Sequence, residues 1–120
     1  MEAKELRIGN YVLTGVGVEV VYELYNHKLA VSNGNTGSTV RYSEIEPIPI
    51  TKDWLLKFGF EKVMKKHNYT TYKLDGIKVA IYPTFISVRN VPVDYKYFSH
   101  IHHLQNLYNS LTGKELKIKK

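Results

Sequence analysis

The stretch YTTYKLDGIKVAIYPTFISVR, residues 69–89, predicts two consecutive β-hairpins and decides the fold of the second half of the chain. Asp75-Gly76 is a strong signal for a two-residue hairpin loop, and the runs at 69–74 and 77–82 on either side of it read as strands. Pro83-Thr84 is interpreted as a second two-residue loop that leads to a strand at 85–91. The stretch therefore predicts a three-stranded antiparallel meander.

These loop lengths also predict which residues share a face of the meander. They place Leu74 opposite Ile77, Tyr72 opposite Val79, Thr70 opposite Ile81, Ile81 opposite Ile86 and Val79 opposite Val88, all on one apolar face. The other face then carries an aromatic row (Tyr69, Tyr82, Phe85), a small row (Thr71, Ala80, Ser87) and a cation row (Lys73, Lys78, Arg89). A register slip of one residue would exchange the two faces.

The second face predicts a binding site for single-stranded nucleic acid. Like charges on neighbouring strands destabilise a sheet, and an anion between them relieves the repulsion. Aromatic rings can stack on bases while the cations meet phosphates. In the alternative interpretation, the aromatic row packs against the N-terminal part of the chain and the cations form only a solvated rim.

A short helix before the meander and a longer one after it complete the predicted second half. Thr51 suits the N-cap of the first helix, and Gly59 suits its end. Ser99 is the expected N-cap of the second, whose apolar residues recur at helical spacing until Gly113. Residues 51–113 are therefore predicted to form an α-β-β-β-α unit with both helices on the apolar face.

The first 46 residues predict a small SH3-like β-barrel. Short strands are expected at 8–13, 17–25, 28–32 and 38–42, and the loop 33–37 is rich in residues that tolerate positive φ. Closure into a barrel would remove exposed strand edges. Residues 47–50 form a proline-containing connector and residues 114–120 a basic tail that we expect to fray. The predicted fold class is α+β.

Composition and charge narrow the class of function. The chain has 120 residues, a formal net charge of +6 and no cysteine, which excludes disulfides, zinc–thiolate sites and thiol catalysis. Residues 1–50 carry four basic and six acidic side chains, whereas residues 51–120 carry thirteen and five. A strongly basic second half attracts polyanions or acidic protein surfaces, although lysines can also serve solubility alone. Without a membrane-length apolar run or a signal-peptide core, a cytoplasmic location is expected.

No catalytic, cofactor or metal site is expected. His100 and His103 would be neighbours on a helix while His102 points elsewhere, and no nearby acid completes a metal-binding set. Gly15-Val16-Gly17 lacks the third glycine and the following helix of a phosphate-binding motif. No set of nucleophile, base and metal can be assembled from the sequence, so the chain is predicted not to be an enzyme.

Three segments carry a resemblance to a known family. They are residues 5–10 (ELRIGN), residues 47–60 (PIPITKDWLLKFGF), and residues 102–108 with 111–116 (HHLQNLY and LTGKEL). The chain resembles a family of small uncharacterised proteins of Bacteroidetes genomes, prophages and phages. The family often has one His followed by Gln where this chain has His102-His103, which weakens a metal role for His103. The resemblance implies a mobile-element accessory protein in a bacterial cytoplasm, and it transfers no functional residues.

The sequence thus predicts a non-enzymatic protein that binds nucleic acid, preferably single-stranded, through Lys73, Lys78, Arg89, Tyr69, Tyr82 and Phe85. Two alternatives stay open. One is an inhibitor of a host defence protein or ribonucleoprotein such as a CRISPR nuclease (anti-CRISPR-like). The other is a structural or assembly protein of a phage particle. The oligomeric state is not predicted.

Overall fold

The structure is a computed structural model that describes residues 6–83, 85–89, 91–94 and 98–119. It confirms the α+β class, because antiparallel sheets dominate and two α-helices accompany them in the described part of the chain. The chain divides into two compact units. The first contains residues 1–49 and 100–115, and the second contains residues 50–99 and 116–120.

The first unit contains a four-stranded antiparallel sheet in the order β1-β2-β3-β4. Its strands are β1 (Tyr11–Thr14), β2 (Gly17–Leu24), β3 (Lys28–Ser32) and β4 (Gly37–Arg41), and a 3-10 helix (Tyr42–Glu44) follows β4. Their inward side chains form one apolar core of Leu6, Val12, Val21, Leu29, Val31 and Ile45. Strand β1 begins later than predicted because residues 7–10 form a turn, in which the Arg7 N–H donates to Asn10 Oδ1 at 2.6 Å.

The described strands of the first unit form an open sheet rather than the predicted closed barrel. After the 3-10 helix, the chain returns to β1 at one isolated bridge, between Leu13 and Glu46. The two residues exchange backbone hydrogen bonds of 2.8 and 2.9 Å. A closed barrel would need a fifth strand, and this bridge is the only part of such a strand among the described residues.

Helix α2 (Ile101–Thr112) belongs to the first unit, which corrects the prediction of an α-β-β-β-α unit over residues 51–113. A buried glutamine explains the assignment. Gln105 Oε1 accepts from the Tyr11 N–H at 2.8 Å, and Gln105 Nε2 donates to the Gly9 carbonyl at 2.9 Å. These bonds hold the helix to the start of β1.

The N-cap of α2 is His100 rather than the predicted Ser99. The chain stays extended through this point, since the Ser99 carbonyl accepts from the Ile50 N–H at 3.0 Å and His100 forms a bridge with Pro49. Gly113 ends the helix with a left-handed φ of 74°, as predicted. No helix among the described residues has the length and hydropathy that it needs to cross a membrane.

The second unit contains a five-stranded antiparallel sheet, not a three-stranded one, in the order β5-β6-β7-β8-β9. Helix α1 (Lys52–Lys57) precedes β5 (Glu61–Lys65), β6 (Thr70–Leu74), β7 (Ile77–Ile81), β8 (Phe85–Val88) and β9 (Val91–Asp94). The two added strands lie at the edges, which suits Pro92, because a proline lacks the N–H that a central strand needs.

The register of the central meander is confirmed pair by pair. Tyr72 lies opposite Val79, Val79 opposite Val88 and Ile81 opposite Ile86. The second loop also has the predicted length, since the Tyr82 N–H donates to the Phe85 carbonyl at 3.0 Å. Thr84 itself lies outside the described residues. The apolar and polar faces are therefore assigned as the sequence predicted.

The apolar face and the helix form the core of the second unit. Tyr72, Val79 and Ile86 are buried on the sheet, and α1 contacts β5. The helix contributes further buried residues, namely Trp54, Leu55 and Phe58. Thr51 caps α1, because its Oγ1 accepts from the Trp54 N–H at 3.3 Å.

The C-terminal segment is docked rather than frayed up to Lys119. Leu116 is buried, and the Lys119 N–H donates to the Lys57 carbonyl at the end of α1 at 2.7 Å. Lys120 lies outside the described residues. The predicted basic tail thus contains an apolar anchor of the second unit at Leu116, and Lys117 and Lys119 remain exposed.

Candidate nucleic-acid interface

The cation row forms on the polar face of the second sheet. Lys73 on β6 lies directly opposite Lys78 on β7, and the Arg89 N–H donates to the Lys78 carbonyl at 2.8 Å. All three residues line one recess of about 440 Å³, together with Val63 and Gly76. The three predicted cations are therefore brought to one concave site, which is called the cationic recess below.

Arg89 occupies a turn rather than the strand predicted at 85–91. Val88 pairs with Val91, so Arg89 is the first residue of a two-residue loop between β8 and β9, with φ of 53°. A left-handed conformation is uncommon for a residue with a long side chain and costs on the order of 1 kcal/mol. The turn directs an exposed arginine to the cationic recess despite this cost.

The aromatic row is present, but its rings stack on one another. The centroids of Tyr69 and Tyr82 are 4.6 Å apart with an interplanar angle of 24°, and those of Tyr82 and Phe85 are 4.2 Å apart at 11°. Both faces of Tyr82 are thus covered by neighbouring rings. The expectation that all three rings offer stacking faces needs correction at Tyr82, which has a described ring stacked on each side.

The small row lies between these two rows. Thr71, Ala80 and Ser87 are buried. Thr71 is fully buried, and its hydroxyl has no hydrogen-bond partner among the described residues. The small row therefore offers no surface to a ligand, and the candidate surface consists of the aromatic and cation rows on either side of it.

Strand β5 and the turn after it add two residues that the sequence reading missed. Glu61 lies opposite Lys73, which places one carboxylate beside the cation row. Lys66 lies opposite Tyr69, because its N–H donates to the Tyr69 carbonyl at 2.8 Å across the β5–β6 turn. The strand escaped prediction because its charged sequence does not alternate and a bulge lies between Lys62 and Met64. The turn residues His67 and Asn68, just before the strand predicted at 69–74, were the available signal.

The three histidines lie closer together than expected. The ring of His102 is 5.8 Å from that of His100 and 4.3 Å from that of His103, so His102 does not point elsewhere. The reason is that His100 is the extended N-cap and lies outside the helical spacing. His103 Nδ1 accepts from the His100 N–H at 3.3 Å. Across the described ranges, no three His, Asp or Glu residues are placed to hold a metal ion.

Residues from the first and last resemblance segments meet in the first unit, where they form a polar cluster. Arg7 donates to Asn106 Oδ1 at 2.9 Å and to Glu115 Oε1 at 2.6 Å, and Asn10 Nδ2 donates to Asn106 Oδ1 at 3.0 Å. Asn10 and Gln105 are fully buried. These contacts join parts of the chain that are about a hundred residues apart, so the segments have a structural role in this fold.

Comparisons with protein-family models, with curated proteins and with solved structures each gave no match to this chain.

Proposed function

We propose that this protein is a non-enzymatic binder of nucleic acid and that the polar face of its second sheet is the binding surface. The observation that carries the proposal is the convergence of Lys73, Lys78 and Arg89 on one recess. Cations held this close repel one another, and bound phosphates remove that repulsion while releasing counterions. The proposed contacts are these three cations, with Tyr69, Tyr82 and Phe85 as the aromatic part of the surface.

A single strand fits this surface better than a duplex. The outer faces of Tyr69 and Phe85 can stack only on bases that are not already stacked within a helix. In a duplex, the bases stay inside and only the phosphates reach the cationic recess. The proposal therefore includes a preference for single-stranded ligands.

Fluorescence anisotropy with labelled oligonucleotides, titrated over salt concentration, tests this function. We expect tighter binding of the single strand, with an affinity that falls steeply as salt rises. Equal affinity for both ligands would remove the strand preference. No binding at low salt would overturn the proposed function itself.

Charge reversal at Lys78 locates the surface. Lys78→Glu is expected to weaken binding and to make the salt dependence shallower by about 0.7 in log–log slope for each lost single-strand phosphate contact. Lys52→Glu is the matched control, since it changes the net charge equally on α1, whose Asp53 acts on Tyr72 of the apolar face. Equal losses of affinity in the two variants would mean that only net charge matters.

A protein partner is the second candidate, and an exposed apolar patch in the first unit favours it. Leu13 and Val18 are paired across β1 and β2, and Val16 forms the turn between them. Their exposed fractions are 37%, 40% and 77%. Inhibition of a host defence protein, such as a CRISPR nuclease, or assembly into a phage particle would use such a patch.

A pull-down from host lysate, with and without nuclease treatment, separates this candidate from nucleic-acid binding. One partner retained after nuclease treatment supports an inhibitor, provided that Val16→Lys abolishes the capture. Stable self-association in light scattering supports an assembly role instead. Loss of all partners with nuclease treatment supports the nucleic-acid proposal.

Two finer expectations from the sequence also remain proposals. The first unit is proposed to be a partly open SH3-like barrel, supported by the return of Glu46 to β1. The resemblance to proteins of Bacteroidetes prophages and phages supports a role as a mobile-element accessory in a bacterial cytoplasm.

A further inference from the structure

The stacked rings leave only two positions where another planar group can join them. Tyr69 and Phe85 are the ends of the stack, and Tyr82 lies between them. The residues at both ends are half-buried, so part of each ring reaches the surface. A base can therefore extend the stack at an end but cannot enter its middle.

One end of the stack lies beside a cation. At the β5 end, Lys66 lies opposite Tyr69 and is exposed. A ligand that carries both a planar ring and a phosphate is electrostatically favoured at the Tyr69 end.

We propose that one unpaired nucleobase stacks on the outer face of Tyr69, with its phosphate against Lys66. This inference rests on the proposed function and assigns a defined contact within it. The Tyr69 and Lys73 positions are four residues apart on or beside β6, which is about 13 Å of extended chain. The ligand is therefore a short single-stranded segment of at least this length.

Quenching of 2-aminopurine fluorescence tests the stacked base. The probe is a single-stranded octanucleotide with 2-aminopurine placed at one position at a time. We expect one position to be quenched on binding to the wild-type protein. Tyr69→Leu should abolish this quenching and weaken binding roughly 5- to 100-fold, the usual effect of losing one base–aromatic stack.

Three variants act as controls. Tyr69→Phe keeps the ring and should preserve the quenching. Phe85→Leu removes a ring at the other end and should leave the quenching in place. Lys66→Glu should weaken binding more than Lys62→Glu, because Lys62 lies opposite Tyr72 on the other face of the same strand. Circular dichroism establishes that each variant is folded.

The outcomes separate this inference from the function on which it rests. If the wild-type protein binds the octanucleotide with a Lys78-dependent salt slope but quenches no position, the stacking inference is wrong and the proposed function stands. Quenching that persists in Tyr69→Leu, or is lost equally in Phe85→Leu, also overturns the inference. If the oligonucleotide does not bind at low salt, both are wrong.

Discussion

At the scale of single residues, the cross-strand pair of Lys73 and Lys78 lowers the stability of the sheet at the candidate site. Like charges directly opposite each other destabilise a sheet, and Arg89 adds a third cation to the same recess. Glu61, opposite Lys73 on β5, supplies one compensating carboxylate. A fold selected only for stability would not need this arrangement, whereas a phosphate-binding surface would.

Replacement of Lys78 by glutamate should therefore stabilise the fold. We expect the free energy of unfolding of Lys78→Glu to rise by about 0.2–1 kcal/mol, because a repulsive cross-strand pair becomes an attractive one. Urea denaturation followed by circular dichroism measures the change. A loss of stability in Lys78→Glu would show that the lysines do not destabilise the sheet.

Tyr72 makes the stability of the second unit depend on pH in the alkaline range. Burial, and then the negative charge of Asp53, raise the pKa of the Tyr72 hydroxyl above its ordinary value of 10.0. The unfolded chain therefore gives up this proton before the folded protein does. The stability linked to the neutral hydroxyl is fully present below pH 10.0 and is lost as the pH rises through the higher pKa of the folded state.

Tyr72→Phe should remove this part of the alkaline loss of stability. We expect the free energy of unfolding to fall less in Tyr72→Phe than in the wild type between about pH 8 and about pH 11. Urea denaturation at both values measures it, and Tyr22→Phe, at an exposed tyrosine, is the control. An equal fall in wild type and Tyr72→Phe would contradict the argument.

At the scale of elements, α1 ends in a Schellman motif that depends on Gly59. The Gly59 N–H donates to the Leu56 carbonyl and the Phe60 N–H to the Leu55 carbonyl, each at 3.0 Å. Gly59 has a φ of +95°, and a Cβ at this position would lie 2.8 Å from the Cγ of Lys119. The end of α1 therefore requires glycine both for its backbone conformation and for the docked C-terminal segment.

Alanine substitutions at Gly113 and at Gly59 should separate the requirement for a left-handed backbone from the requirement for space beside Lys119. Gly113→Ala, which meets no atom within 4 Å, should cost about 1 kcal/mol through its backbone conformation alone. Gly59→Ala should cost more, because Lys119 must also move. Thermal unfolding of both variants gives the comparison, and an equal cost would show that Lys119 yields freely.

At the scale of the whole molecule, the division into two units sharpens the charge asymmetry of the sequence. The segments of the first unit contain five basic and seven acidic residues, whereas those of the second contain twelve and four. The positive charge thus belongs to the unit that carries the polar face. This distribution favours encounter with a polyanion through the second unit.

The order of the segments along the chain predicts that the protein unfolds in one transition. Residues 50–99 of the second unit are inserted between the two segments of the first. If this insert unfolded alone, the first unit would have to close a 50-residue flexible loop, at a cost of about 3.5 kcal/mol. Trp54 is the only tryptophan and lies in the second unit, so its fluorescence reports that unit alone.

We expect urea transitions followed by Trp54 fluorescence and by far-ultraviolet circular dichroism to coincide. Circular dichroism reports both units, so a second transition seen only by this method would show that the first unit survives alone. Separate midpoints would then contradict the predicted coupling.

The sequence alone determined the central meander and, with it, most of the candidate site. Two loops of two residues connect β6, β7 and β8, so alternation within each strand was enough to place Lys73 beside Lys78 and Tyr82 beside Phe85. The edge strands were missed because one is charged and bulged and the other contains proline. Their formation depends on pairing with the meander rather than on their own residues.

Only the tertiary structure decided which unit includes α2, how the aromatic rings meet and where Lys66 lies. An apolar stripe shows that a helix buries one face, but it does not show which part of the protein that face packs against. Here, the hydrogen bonds that Gln105 donates to the Gly9 carbonyl and accepts from the Tyr11 N–H made that choice across more than ninety residues. Register sets which residues are neighbours, whereas side-chain rotation sets whether rings face a ligand or one another, and that depends on packing in three dimensions.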